Sequence, residues 1–255
     1  MPKKFFEDYG AVIGDEAHLF KAVSLTKIMT KLTDCKYRIG LTGTLDDSKT
    51  HKLVLQGLFG TVNRVVSTKQ LIDKKQLAQL KVMCLNLKYP EIEAKKVYGV
   101  KYFEELEYLT QNTARNKYIR NLALALKGNT LLLFQLVEKH GEILFNLIKE
   151  KADPKRKVFF VYGGTETDDR EKIRAITEKS DNAIIVASFG TFSTGINIRN
   201  LHNIVFSSPT KSPIRVLQSI GRGLRVGDKK DSATVYDISD AVSYTHLRAH
   251  ETFHD

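Results

Sequence analysis

Short apolar runs that alternate with amphipathic stretches constrain the fold of this chain most strongly. Strands buried on both faces have such near-continuous apolar runs, and parallel strands need a crossover helix between them. The sequence therefore predicts an α/β fold with parallel sheets. We expect strands at residues 11–13, 37–41, 80–87, 131–134, 158–162, 183–187, 204–206 and 233–238. We expect helices at residues 19–32, 48–58 and 138–149, and one or two helices at residues 103–126. A further helix ends at residue 179 and begins with a capping box, Asp168-x-x-Glu171.

The pattern changes character after Val66, where we place a domain boundary between residues 1–66 and residues 67–241. The chain has 255 residues, of which 42% are hydrophobic and 27% charged, a globular composition that suits about one to two domains. No apolar run approaches the roughly 18 residues of a membrane helix, and the N-terminus lacks a signal-peptide core. We expect a cytoplasmic protein without membrane partners, in the host cell if the gene belongs to a phage.

Residues 242–255 read VSYTHLRAHETFHD and look unrelated to the fold. Histidines at 246, 250 and 254 would share a helix face and suggest a zinc site. The string also matches one reading frame of a common sequencing adapter. We interpret it as an adapter-derived tail, which has no part in the predicted fold or site.

The formal net charge is +11 and the sequence pI about 9.5, which favours a polyanionic partner, with nucleic acid as the first candidate. A solvated basic surface explains most of the lysines equally well. Cys35 and Cys84 fit no metal or redox spacing, and we expect two buried free thiols, with a disulfide as the alternative.

The stretch GDEAH places two adjacent acids directly after the first strand. Ligands of parallel sheets gather at the carboxyl ends of strands. Asp15 is suited there to hold Mg²⁺, and Glu16 to orient and deprotonate a water aimed at a γ-phosphate. His18 can link this site to the next strand end. The alternative is an acidic pair that only favours the positive end of a helix dipole.

Hydroxyl groups follow two other predicted strands. Thr42 and Thr44 belong to TGT, where they can bond His18 or the acids, although a plain turn would look the same. The run ASFGTFSTGINIRN has the character of a polar loop. Its Ser193 and Thr194 offer hydroxyls to nucleic-acid phosphates, Gly195 a permissive backbone, and Asn197 a contact to a ribose.

The stretch QSIGRGLRVG carries Gln218, Arg222 and Arg225 on a predicted helix. The two arginines are three residues apart and would share a face, suited to a triphosphate whose charge changes in phosphoryl transfer. Gly221 and Gly223 each weaken a helix by about 1 kcal/mol against alanine, which suggests close approach of another surface. The alternative is a basic surface helix.

The order D-E-A-H, T-G-T, S-T-G-I-N and Q-x-x-G-R-x-x-R resembles the motor core of superfamily-two helicases of the DEAH/DExH type. The flanking residues are most similar to the bacteriophage UvsW-like enzymes, which unwind and branch-migrate DNA junctions. The resemblance covers residues 12–240 and implies parts of two RecA-like domains with ATP bound in the cleft between them.

The resemblance also implies roles for the matched residues. Asp15 would hold Mg²⁺ and Glu16 would be the catalytic base. Gln218, Arg222 and Arg225 would face the γ-phosphate from the second domain. The remaining roles are coupling by His18, Thr42 and Thr44, and contacts to the strand and the nucleotide by Ser193, Thr194, Gly195 and Asn197. Gly14 departs from the family, where a larger apolar residue commonly precedes the acids, and we expect it to alter strand packing.

A phosphate-binding loop, G-x-x-x-x-G-K-[ST], is absent from the sequence, because none of the 16 glycines is followed by Lys-Ser or Lys-Thr. We therefore expect a fragment of an ATP- and Mg²⁺-dependent helicase, inactive by itself, with the rear of the first motor domain and most of the second. The alternatives are a non-catalytic nucleic-acid-binding module and the motor of a restriction or remodelling enzyme. DNA is the expected partner and RNA the alternative; the sequence does not predict the oligomeric state.

Overall fold

A computed structural model describes residues 3–43, 49–195, 198–210, 213–226 and 230–241 of the chain. The chain divides into two compact units, Met1–Ser67 and Thr68–Asp255. Each unit has its own sheet, and all neighbouring strands in both sheets run parallel. The predicted α/β class is thus confirmed. None of the helices among the described residues is both long and apolar enough to cross a membrane.

The first unit pairs two short parallel strands and packs two helices against them. Short 3₁₀ turns at Lys3–Phe6 and Ala17–Lys21 complete it. Its core contains Phe6, Met29 and Leu58, which are nearly or fully buried. The regular elements are β1 (Ala11–Gly14), α1 (Val23–Lys31), β2 (Tyr37–Gly40) and α2 (Lys49–Phe59).

Gly14 has a packing role at the end of β1. A Cβ atom at this position would lie 2.9 Å from the ring of Phe59 and 3.0 Å from the ring of Phe20. These two rings meet edge to face with their centroids 5.1 Å apart, so they fill the space that a side chain would need. Glycine is therefore required before the acidic pair, because two phenylalanine rings pack against this end of the strand.

The second unit is a six-stranded parallel sheet in the order β3-β8-β7-β4-β6-β5. A π-helical turn, Val137–Gly141, leads into one of its helices. The strands are β3 (Gln79–Leu87), β4 (Thr130–Phe134), β5 (Val158–Val161), β6 (Ile184–Ser188), β7 (Asn203–Phe206) and β8 (Ser232–Asp240). The helices are α3 (Thr68–Asp73), α4 (Glu91–Val97), α5 (Tyr102–Gln111), α6 (Thr113–Ala125), α7 (Glu142–Lys151), α8 (Thr167–Lys179), α9 (Phe189–Gly195) and α10 (Pro213–Gly223).

Strand β4 is the centre of this unit, and all five of its residues are buried. Leu131 and Leu133 belong to the core on one face of the sheet, and Leu132 and Phe134 to the core on the other. This alternation follows from the two-residue period of a strand that has helices on both sides. The chain continues from β4 to β5 on one side and later to β7 and β8 on the other, so strand ends near β4 are a natural place for ligands.

Four local predictions are wrong. Cys84 is exposed, because it lies on β3 at the edge of the sheet. The predicted polar loop begins with helix α9, because Phe189 and Phe192 are buried in the core. The predicted capping box is absent, since α8 begins at Thr167 and the Glu171 carboxylate pairs with Arg174. Helix α10 ends at Gly223, so Arg225 lies beyond it and forms an antiparallel bridge with Leu77.

Candidate functional site

Asp15 and Glu16 follow β1 directly and have an unusual backbone. Glu16 adopts φ 48° and ψ 48°, the left-handed region, which costs a residue with a side chain roughly 1–2 kcal/mol. The Oδ1 atom of Asp15 accepts the backbone N–H of Glu16 at 2.8 Å. The next N–H, of Ala17, donates to the carbonyl of Leu41 at 2.8 Å, which ties the bend to the end of β2. Strain of this kind is typical of functional sites.

His18 connects the acidic pair to the residues that follow β2. The side chain is nearly buried, with 3% of the residue exposed. Its Nδ1 lies 3.0 Å from Oγ1 of Thr42 and 3.3 Å from Oε2 of Glu16. With a proton on Nδ1 the ring can donate to either oxygen, so it lies between the Glu16 carboxylate and the Thr42 hydroxyl. Thr44 lies outside the described residues.

The side chains of this strand end fit a hydrated magnesium ion. Mg²⁺ prefers hard oxygen ligands, and protein sites commonly supply one or two carboxylates and leave the rest to phosphates and water. Asp15 is exposed, and the contact described above uses only its Oδ1 atom. The exposed carboxylate of Glu16 stands beside it without being needed as a ligand.

In the second unit, Arg222 lies on the last turn of α10 and contacts α9. Its guanidinium carbon is 5.8 Å from the centroid of the Phe192 ring, which is itself fully buried. A Cβ atom at Gly223 would collide with Cδ1 of Ile204 on β7, so the predicted close approach exists there. A Cβ atom at Gly221 would meet nothing within 4 Å, so that glycine has no such reason in the described structure.

The other predicted residues of the second unit are dispersed around these two helices. Gln218 is half-buried on α10, and Arg225 is exposed beyond its end. Gly195 is the last residue of α9. The described part of the structure does not include Asn197, the side chains of Ser193 and Thr194, or the tail at residues 242–255.

A buried histidine that the sequence analysis missed lies near the end of β4. His140 is fully buried, with Nδ1 2.7 Å from Oγ of Ser208 and Nε2 3.2 Å from Oδ1 of Asn116. The Ser208 hydroxyl also accepts the N–H of Gln135. Burial first, and the positive charge of Arg115 second, hold the pKa of His140 well below its usual 6.5.

This lowered pKa predicts how stability depends on pH. Below about pH 6.5 the unfolded chain binds a proton at His140 that the folded chain does not, so the free energy of unfolding falls as the pH falls. One such group contributes about 1.4 kcal/mol per pH unit. Urea unfolding at pH 7.5 and pH 5.5 should show a smaller loss for His140→Gln than for the wild type. Equal losses would contradict the assignment.

A second buried network joins the ends of β3, β7 and β8. The Nε of Arg115 donates to Oδ1 of Asp240 at 2.9 Å, and both side chains are fully buried. Arg115 also donates to the carbonyl of Ser207 at 2.7 Å, and the hydroxyl of Tyr89 donates to the same Asp240 oxygen at 2.5 Å. Desolvation, followed by the charge of Asp240, raises the pKa of Tyr89. The network fixes the start of α6 to three strand ends.

Comparison with known proteins gives consistent results. Residues 114–227 match the family described as the helicase conserved C-terminal domain. The chain is 38% identical over 243 residues to the ATP-dependent DNA helicase uvsW of Enterobacteria phage T4, which covers 94% of this chain and 48% of that protein. The chain thus spans about half the length of the curated relatives it matches.

Solved structures show the same likeness. The crystal structure of T4 UvsW superposes with a TM-score of 0.56 at 34% identity, covering 95% of this chain and 47% of that one. A fragment of an HsdR subunit of a type I restriction enzyme from Vibrio vulnificus gives a TM-score of 0.71 at 19% identity, covering 99% and 47%. The second match shows the fold alone.

Proposed function

Because the chain belongs to the superfamily-two helicases and is of the UvsW-like type, we propose that it is part of an ATP-dependent motor that unwinds or branch-migrates nucleic-acid junctions. The observation that carries this proposal is the strained acidic pair at the end of β1, joined to Thr42 by the buried ring of His18. A solvated acidic pair has no need of left-handed backbone or of a buried partner. We place the motor in the cytoplasm, of the host cell if the gene is a phage gene.

In this proposal the residues of the first unit prepare the hydrolytic step. Asp15 binds magnesium, which, when bound, neutralises charge on the phosphates. Glu16 orients the attacking water and accepts its proton. His18 passes a change in the position of Glu16 to Thr42, at the end of the neighbouring strand. The residues of the second unit that act on the γ-phosphate are Gln218, Arg222 and Arg225, and Gly195 and Asn197 also contact the nucleotide. Ser193 and Thr194 bind the nucleic-acid strand. Thr44 couples hydrolysis to movement together with His18 and Thr42.

Nucleic acid is the proposed partner of the basic surface. The chain has 40 lysines and arginines against 29 aspartates and glutamates. Lysines and arginines that contact phosphates release counterions, so binding should weaken steeply as salt rises. We propose DNA as the substrate, with RNA as the alternative that parallel assays with branched DNA and RNA–DNA hybrids distinguish.

The decisive variant is Glu16→Gln, which keeps the shape of the side chain and removes its basicity. We expect nucleic-acid-stimulated ATP hydrolysis by the full-length gene product to fall at least about a hundredfold, the usual contribution of a general base. Glu7→Gln, an exposed glutamate of the same unit, is the matched control and should keep the wild-type rate.

Three results would contradict the proposal. An unchanged rate in Glu16→Gln would remove Glu16 from the chemistry. Salt-dependent nucleic-acid binding with no ATP turnover by the wild-type full-length gene product would favour a non-catalytic binding module. Nuclease activity in the same product would assign the motor to a restriction enzyme.

A further inference from the structure

Lys230 is a buried lysine for which neither the sequence motifs nor the comparisons suggest a role. It is 3% exposed although it lies in a run of charged residues that looks solvated. Its Nζ lies 3.3 Å from the carbonyl oxygen of Arg199 and 3.2 Å from that of Arg225, and it also contacts the carbonyl oxygen of Gly223. An ammonium group has three donors, and here it meets three acceptors.

These three carbonyls belong to the segments around the catalytic arginines. Gly223 is the last residue of α10 and follows Arg222 directly, and Arg225 begins the bridge to Leu77. Arg199 lies in the connection between α9 and β7. The last carbonyls of a helix lack partners within it and carry partial negative charge, so a buried cation is well placed at this end of α10.

Glu178, near the end of α8, holds the other side of the same connection. Its Oε1 accepts the backbone N–H of Arg199 at 2.5 Å and its Oε2 that of Asn200 at 3.2 Å. Arg199 and Asn200 are therefore held by a carboxylate through their N–H groups, and Arg199 also by an ammonium through its carbonyl. The ammonium alone reaches on to the end of α10.

We propose that Lys230 is a positioning residue for ATP hydrolysis, which sets the direction of Arg222 and Arg225 by tying the end of α10 to the connection after α9. The inference rests on the function proposed above, because positioning matters only if these arginines act on a phosphate. Lys230 touches no reacting atom and acts through the backbone of residues 223–225.

The charge of Lys230 gives this role a measurable signature. Burial lowers its pKa to about 8, and the negative charge of Glu178 opposes that shift. Loss of the proton leaves two N–H groups for three carbonyls and directs a lone pair at one of them. The hydrogen bonds from Lys230 to these carbonyls should therefore weaken as the pH rises through about 8. Arginine at this position would keep its charge, since its pKa exceeds about 12.

The first test is the pH profile of kcat for ATP hydrolysis by the full-length gene product. We expect Lys230→Met to lower kcat by roughly a hundredfold, the scale of a small misplacement, with a much smaller change in KM for ATP. Lys230→Arg should restore most of the rate and remove the decline that the wild type shows above about pH 8. Lys172→Met, an exposed lysine of the same unit, is the control.

The second test needs no ATP and uses the 255-residue chain. Hydrogen exchange of residues 218–226 should be at least about tenfold faster in Lys230→Met than in the wild type, and nearly unchanged in Lys230→Arg. Unchanged exchange in Lys230→Met would overturn the positioning role. So would a decline of kcat above about pH 8 in Lys230→Arg that equals the decline of the wild type. Absence of ATP turnover by the wild-type full-length gene product would instead overturn the proposed function, and the exchange result would still test whether Lys230 holds the end of α10.

Discussion

Replacing Arg222 by alanine in the full-length gene product is expected to lower nucleic-acid-stimulated ATP hydrolysis by roughly a thousandfold, at the lower end of what an arginine finger contributes. The guanidinium rests over the buried ring of Phe192, which limits its rotation, and it lies on the last turn of α10. A positive group held in this way can stabilise charge that develops on the phosphate. Single-turnover rates with the enzyme in excess over ATP would measure the chemical step directly.

Two further variants define the specificity of this effect. Arg222→Lys keeps the charge but loses the planar fork, and we expect it to remain well below the wild type. Arg174→Ala removes an exposed arginine of the same unit that pairs with Glu171 on α8, and it should leave the rate unchanged. Wild-type hydrolysis by Arg222→Ala would show that the arginine belongs to an ordinary basic surface.

Replacing Arg115 by methionine is expected to lower the free energy of unfolding of the second unit by about 3–5 kcal/mol. Methionine approximates the aliphatic part of the side chain but leaves the fully buried carboxylate of Asp240 without its cation. The carbonyl of Ser207 also loses a donor. Urea unfolding followed by circular dichroism would measure the change.

A double-mutant cycle separates the ion pair from simple loss of packing. Asp240→Asn keeps an oxygen for the Tyr89 hydroxyl and removes the charge. The combined variant Arg115→Met with Asp240→Asn should be less destabilised than the sum of the two single changes, because no uncompensated charge stays buried. Strict additivity would contradict the importance of this pair, and Arg174→Ala serves again as the exposed control.

The sheets were predictable from the sequence because buried parallel strands are apolar on both faces. Residues 131–134, for example, have no polar side chain, and β4 is completely buried. Helix α9 was not predictable from local pattern, since Gly190, Ser193 and Thr194 disfavour a helix. Burial of Phe189 and Phe192 outweighs that preference, as tertiary packing often does.

The acidic pair was recognisable because its residues are adjacent, whereas the buried networks join distant ones. Arg115 and Asp240 are 125 positions apart, and no spacing rule connects them. The available signal was that Asp240, like Asp15, follows a predicted buried strand. Lys230 gave no signal, because a lysine within a charged run usually stays in water.

The most direct test of the central claim compares ATP hydrolysis by the full-length gene product carrying Glu16→Gln, Arg222→Ala or both changes. If the carboxylate and the guanidinium act on one bound nucleotide, the double variant should be hardly slower than the slower single variant, as for residues that work as a unit. Multiplying losses would mean that the two groups act independently, and unchanged rates in the single variants would contradict the proposed roles of Glu16 and Arg222 in hydrolysis.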